Sequence, residues 1–257
     1  MCQLYQSPNL VEGVLHRSSQ TVRALLFDLD ETLLDGSRLQ ESIVRACDMI
    51  AAGQPGLEAA RLVEANNQVW LDYWPEVAEK WTLGALDGES LSLEAWRRTL
   101  RACGCHDESI VRLAARLHRN LGREAHRLFD DVRELFTSLK SARVPLALVT
   151  NGASYTQRDK LRVLGMEHWF DVVVISGEVG IAKPDASIFR LALNKLPAER
   201  ENVWHVGDSL TTDVAGAKAA GLTAVWLNRS GLVRREGDPE PDLEIRSLSN
   251  LMAFISE

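Results

Sequence analysis

The stretch Leu25–Asp35, LLFDLDETLLD, ends a short apolar run on Asp28 and places a second carboxylate, Asp30, two positions on. Thr21 to Phe27 (TVRALLF) is brief, apolar and partly β-branched, the pattern of a buried strand that delivers both acids to the rim of a sheet. In open α/β sheets that rim is where ligands bind. Two carboxylates so close repel one another, and a shared proton or a cation relieves them. A hard cation with oxygen ligands, such as Mg2+, suits the pair. An acidic pair of this kind also punctuates turns, so the rest of the chain decides between the two readings.

Beyond Asp35 the pattern turns helical, and from Ser37 to about Leu128 it predicts only helices. Four are expected: Ser37 to Ala51, Leu57 to Trp74 with a stop near Pro75, Ser92 to Arg101, and Asp107 to Asn120. From Asp130 helix and strand alternate. Helices are expected over Asp131 to Ala142, Thr156 to Leu164, Asp185 to Leu196 and Asp213 to Ala220. Strands are expected over Val144 to Val149, Phe170 to Ile175, Asn202 to Val206 and Thr223 to Leu227. Strands separated by helices imply right-handed crossovers and a mostly parallel sheet covered on both faces. The fold class is α/β, with an all-helical insertion. The tail from Gly231 reads as a loop before a short final element.

Three further strand ends carry polar groups: Thr150-Asn151-Gly152, Lys183-Pro184-Asp185, and Gly207-Asp208 through Asp213. Each has a structural explanation of its own. Thr150 and Asn151 are turn formers, Lys183 suits a solvated loop, and Asp208 and Asp213 suit helix N-caps. Their joint order, each after its own apolar strand, makes the shared site the stronger reading.

At 257 residues the chain can bury one core with an insertion or two modest cores. A formal net charge of -7 argues against broad binding to nucleic acid or anionic membranes. Cys2, Cys47, Cys103 and Cys105 lack zinc-site spacing and read as reduced thiols. Residues 1–20 lack the charged start and apolar core of a secretory signal, and no run approaches membrane-spanning length. A cytoplasmic protein with an N-terminal extension over 1–20 is the expectation.

The set DxDxT, strand-end Thr, Lys and GDxxxxD, in order over Thr21 to Gly231, resembles the haloacid dehalogenase-like (HAD) hydrolase superfamily. The wording VTNG, GEVGIAKPDASIFRLAL, HVGDSLTTDVAGAKAAGL and VWLNRSG is similar to the branch that contains N-acylneuraminate-9-phosphatase and nucleotidase-like phosphatases. The resemblance implies a Rossmann-like core over 21–36 and 129–257, with helices on both faces, and a type 1 cap over 37–128. It implies a phosphatase acting on a small phosphomonoester (a sugar phosphate, nucleotide or phospho-acid), with neither nucleic acid nor membrane as partner.

Carried to this chain, the resemblance makes Asp28 the nucleophile that forms an aspartyl-phosphate. Mg2+ would be held by Asp28, the backbone carbonyl of Asp30, and Asp208. Asp30 would be the general acid and base, and Lys183 would neutralise the phosphoryl oxygens. Thr150, with backbone N–H groups near Leu29, Asn151 and Gly152, would hold the equatorial oxygens. Asp213 would orient Lys183 or a water on the metal.

The link from Asp30 through Gly36 would let the cap close. Trp70, Tyr73, Trp74, Trp81 and Arg45 are candidates to face substrate, although aromatics at helical spacing usually pack a core and an arginine usually sits on a solvated face. The same fold supports haloalkanoate dehalogenation, which has no use for Asp30, and sugar phosphate mutation. It also supports a Schiff-base reaction through a cap lysine, of which the insertion has only Lys80. A non-catalytic phosphate-binding protein is the reading from another class.

Overall fold

The computed structural model describes residues 22–197 and 202–255, so the expected extension over 1–20 lies outside the described residues. The first strand, β1 (Ala24–Phe27), is wholly buried and forms the middle of a six-stranded sheet. Its neighbours are β4 (Leu146–Thr150) and β6 (Val203–Gly207). Beyond them lie β5 (Val172–Ile175) on one side, and β7 (Thr223–Leu227) and β8 (Leu243–Ile245) on the other. Every pairing in this sheet is parallel. Side-chain alternation along β1 feeds two cores: Leu25 and Phe27 join Phe136, Leu148 and Trp204 on one face, while Ala24 and Leu26 join Phe189, Val149 and Trp226 on the other.

Helices cover both faces: α5 (Val132–Ser141), α6 (Ser154–Val163), α7 (Ser176–Val179), α8 (Ala186–Leu193) and α9 (Ala215–Ala220). The chain steps from β1 outward to β4 and β5, then crosses to β6 on the opposite side. The crevice at that reversal lies directly beyond the carboxyl end of β1, where Asp28 follows Phe27.

Between β2 (Leu34–Asp35) and β3 (Arg127–Leu128) lie α1 (Leu39–Gly53), α2 (Ala59–Thr82), α3 (Gly88–Ala102) and α4 (Glu108–Ala125). They pack on one another around Ala46, Ile50, Leu62, Trp96, Leu100 and Ala114. The ribbon formed by β2 and β3 is antiparallel and joins this helical layer to the sheet. Arg127 pairs with Asp35 across it.

Four expectations are corrected. The second helix does not stop near Pro75 but runs through it to Thr82. The hydrogen bond that proline removes is the one to the carbonyl of Leu71, a residue 72% exposed and open to water. The span from Ser37 to Leu128 is not strand-free, because Arg127–Leu128 pairs with β2; two residues are too few for periodicity to register. The fourth helix does not end at Leu121-Gly122 but continues to Ala125 with Gly122 buried inside it. The third begins at Gly88 rather than Ser92, because the Asp87 carboxylate caps the amides of Glu89 and Ser90. The short helix α7 and the edge strand β8 have no counterpart in the sequence reading.

Candidate active site

The four polar strand ends meet on one rim. Asp28 and Asp30 follow β1, Thr150 ends β4, Asp208 follows β6, and Lys183 enters from the loop ahead of α8. Lys183 is buried and its Nζ donates to Asp28 Oδ1 at 2.5 Å and to Asp213 Oδ1 at 2.7 Å. Asparagine 151 fixes that lysine's backbone from both sides: its Nδ2 donates to the Lys183 carbonyl at 3.0 Å and its Oδ1 accepts from the Lys183 amide at 2.9 Å. So Asn151 acts here as a brace for the lysine loop.

Asp213 is used up by protein donors. Its Oδ1 accepts from Lys183 and pairs with His205 Nε2 at 2.9 Å, and its Oδ2 accepts the Ser209 amide at 3.1 Å. It rises from a single π-helical turn, Leu210–Val214, that precedes α9, and its carboxylate lies against the backbone of Gly207. A β-carbon at position 207 would stand 2.2 Å from Asp213 Cγ, so only glycine fits there. Asp208 points to the same space, its carbonyl held by the Trp226 indole N–H at 2.8 Å.

Carboxylate oxygens of Asp28, Asp208 and Asp213 lie within 4.8 Å of one another. Burial drives the Asp28 carboxyl up to about 8; Lys183 opposes this, and the Asp213, Asp208 and Asp30 charges add to it. Asp208 is pushed to about 6 by burial and by Asp213. For Asp213 burial acts the same way, but Lys183 and His205 outweigh it and hold the carboxyl well below the usual range. Lys183 stays charged because the two aspartates overcome its burial. Two carboxyls that are costly to ionise beside open space suit a dication with oxygen ligands. Asp28 Oδ2 meets only the Thr32 hydroxyl, at 3.4 Å, whereas both oxygens of Asp213 are taken by protein donors.

Asp30 lies outside this group of three carboxylates. Both of its oxygens accept from Lys160 Nζ, at 2.7 and 2.8 Å, and Oδ2 also accepts from Gln157 Nε2 at 2.9 Å. Burial favours its neutral form, but Lys160 and Gln157 outweigh burial and hold the carboxyl below its ordinary value. The same Gln157 nitrogen reaches Thr150 Oγ1 at 2.7 Å. Gln157 and Lys160 were missed in the sequence, although a signal exists: in the polar helix SYTQRDKLRV, Gln157 sits with Leu161 on the buried side.

A family model for haloacid dehalogenase-like hydrolases matches residues 22–221. The chain belongs to that family. Among similar HAD-family proteins, phosphoserine phosphatase of Thermus thermophilus is 32% identical over 253 residues, covering 92% of this chain and 99% of its own length. Human N-acylneuraminate-9-phosphatase is 29% identical, covering 91% and 94%. The magnesium-bound crystal structure of the HAD-hydrolase YfnB from Bacillus subtilis has a TM-score of 0.66 at 26% identity, covering 92% of this chain and 100% of that one.

Part of the expected HAD oxygen cradle is otherwise engaged. The Gly152 amide donates to Ser176 Oγ at 2.8 Å, so that N–H is not open to a ligand. Ser176 in turn donates to the carbonyl of Thr82 on the helical layer, at 2.5 Å. Close packing continues there: Gly84 has φ +78°, and a β-carbon on it would stand 2.3 Å from the Gly177 carbonyl oxygen. Of the aromatic candidates, Trp81 stands over Gly152 and meets Trp74 edge-on with centroids 5.5 Å apart, and Trp74 meets Trp70 at 6.3 Å. Tyr73 is buried beneath the Arg98 guanidinium. Arg45 pairs with Glu124 at the surface, and Lys80 is exposed.

Proposed function

We propose that this HAD-family chain is a Mg2+-dependent phosphatase of small phosphomonoesters, working through an aspartyl-phosphate on Asp28. The observation that carries the reading is the Lys183 ammonium set between Asp28 and Asp213 with Asp208 alongside. A carboxylate can attack a phosphate dianion only where positive charge offsets the repulsion. Asp28, the Asp30 carbonyl and Asp208 would hold Mg2+, which when bound would supply that charge; the raised carboxyl pKa values of Asp28 and Asp208 support a cation there.

Asp28 Oδ2, with only the Thr32 hydroxyl at 3.4 Å, is the oxygen free to attack phosphorus. Lys183 neutralises the nucleophile and one phosphoryl oxygen. The Thr150 hydroxyl accepts from Gln157, which leaves its proton to donate to another. Asp30 delivers a proton to the leaving alkoxide and later takes one from the attacking water, a role that contributes about 10²–10⁴-fold. In the free chain Lys160 holds Asp30 anionic; the negative charge of a bound phosphoryl group pushes its pKa the other way.

Relatives named for phosphoserine, N-acylneuraminate 9-phosphate and glyceraldehyde 3-phosphate support a small phosphorylated substrate. Among the described residues no helix is long and apolar enough to cross a membrane. Cys47, Cys103 and Cys105 are free, which supports a cytoplasmic setting. The test is phosphate release from a panel of phosphorylated sugars, nucleotides and small acids, with and without Mg2+, beside halide release from 2-haloalkanoates. Metal-dependent phosphate release is expected. Halide release with no phosphate turnover would overturn the reading in favour of a dehalogenase.

A further inference from the structure

We propose that Lys160 and Gln157 are positioning residues that lock the Asp30 carboxylate in the orientation from which it serves the leaving group. The inference rests on the phosphatase reading above and deepens it. Asp30 follows β1 on a turn whose next residue, Glu31, has φ +58°, and its side chain is 38% exposed. An aspartate so placed would sample several rotamers unless something holds it.

Three donor contacts do so. Lys160 Nζ spans both oxygens, and Gln157 Nε2 takes Oδ2. Gln157 also ties that oxygen to the rest of the rim, because the same nitrogen reaches the Thr150 hydroxyl at 2.7 Å and the Asn151 carbonyl at 3.1 Å. Its own Oε1 is buried without a hydrogen-bond partner. Leaving such an acceptor unpaired is unfavourable. Flipping the amide would turn that oxygen toward the anionic Asp30, so the observed orientation is the one Asp30 imposes. Both residues lie on α6, three positions apart and therefore on one face of the helix. A rigid element thus carries the clamp.

A surface ion pair would predict none of this reach. Lys160 is separated from Asp30 by 130 positions in sequence, and its side chain is 13% exposed. Its effect should appear where Asp30 acts, in protonating a poor leaving group, and should vanish where the leaving group departs unaided.

The experiment measures kcat/KM, with Mg2+, for the alkyl esters O-phosphoserine, glycerol 3-phosphate and fructose 6-phosphate and for the aryl ester p-nitrophenyl phosphate. In Lys160→Met the alkyl esters that the parent hydrolyses should fall by about 10²-fold, the size of a lost general acid. The aryl ester should change by less than about threefold, because nitrophenolate needs no proton. Lys160→Arg should recover part of the alkyl rate. Should Lys160→Met fail to fold, Gln157→Met, read by the same alkyl-to-aryl ratio, decides. Equal losses on both ester types, a rise in KM alone, or no change would each overturn the positioning role while leaving the phosphatase reading intact. Absence of phosphate release by the parent chain would overturn that reading, and this inference with it.

Discussion

Replacing Lys183 with methionine should destabilise the metal-free protein by about 3–5 kcal/mol near neutral pH. Methionine keeps the length and the apolar stem, so the change isolates the ammonium. That group is 2% exposed and faces Asp213 at 2.7 Å, itself 2% exposed. Breaking a buried ion pair by removing one partner leaves an uncompensated charge and typically costs about 3–5 kcal/mol. His205 and the Ser209 amide remain on Asp213 and moderate the loss.

The sign with pH follows from the same charges. Asp213 is held below its ordinary value, so its contribution in the intact chain is present above about pH 4 and disappears as pH falls through the folded value. Without Lys183, burial drives the Asp213 carboxyl up, and the variant takes up a proton that the intact chain does not. Each pH unit over which it holds that proton recovers about 1.4 kcal/mol. The deficit should therefore shrink between pH 7.5 and pH 5.5. Urea denaturation in EDTA, followed by tryptophan fluorescence at both pH values, measures it. A deficit under about 1 kcal/mol at pH 7.5, or one that does not change on acidification, would show that the Lys183 ammonium does not offset a buried Asp213 charge.

Two further outcomes are expected. Mg2+ affinity, measured by isothermal titration calorimetry, should rise from pH 5.5 to 8.5, because Asp208 at about 6 and Asp28 at about 8 must lose protons to become ligands; affinity independent of pH would count against those ligands. Asp131→Asn should cost about 1.5–3 kcal/mol, the worth of hydrogen bonds to a charged group, since Asp131 pairs with Arg229 at 2.8 Å and accepts from Ser247 and the Leu248 amide. Burial opposes the Asp131 charge, but those partners hold its pKa down, so the difference should be steady above about pH 4 and fade below it, as read from urea midpoints.

The α/β pattern was legible because each core strand is an apolar run buried on both faces, from Ala24–Phe27 to Thr223–Leu227. Asp28, Thr150 and Asp208 were legible for the same reason, since a run that stops on a polar group marks the rim; Lys183, in the loop ahead of α8, and Asp213, on the turn before α9, were legible from their order in the motif set. Pro75 misled, because its helix buries Tyr73 and Val77 on one side and leaves the proline's lost bond on the other. Gln157 and Lys160 went unread because their partner, Asp30, lies more than 120 positions away, and the one local trace, Gln157 in register with Leu161, does not say what it touches. The Gly152 amide was assigned to substrate because Ser176, which occupies it, approaches from a helix of four residues that has no periodic signature.

The central claim is that the Asp28 carboxylate becomes phosphorylated. Acid-quenching the enzyme during turnover with Mg2+, reducing with borohydride and sequencing the peptide that contains Leu25–Asp35 by mass spectrometry tests it directly. Homoserine is expected at position 28 in the intact chain and none in Asp28→Asn, which should also lose phosphate release. Steady turnover with position 28 unmodified, or undiminished activity in Asp28→Asn, would contradict it.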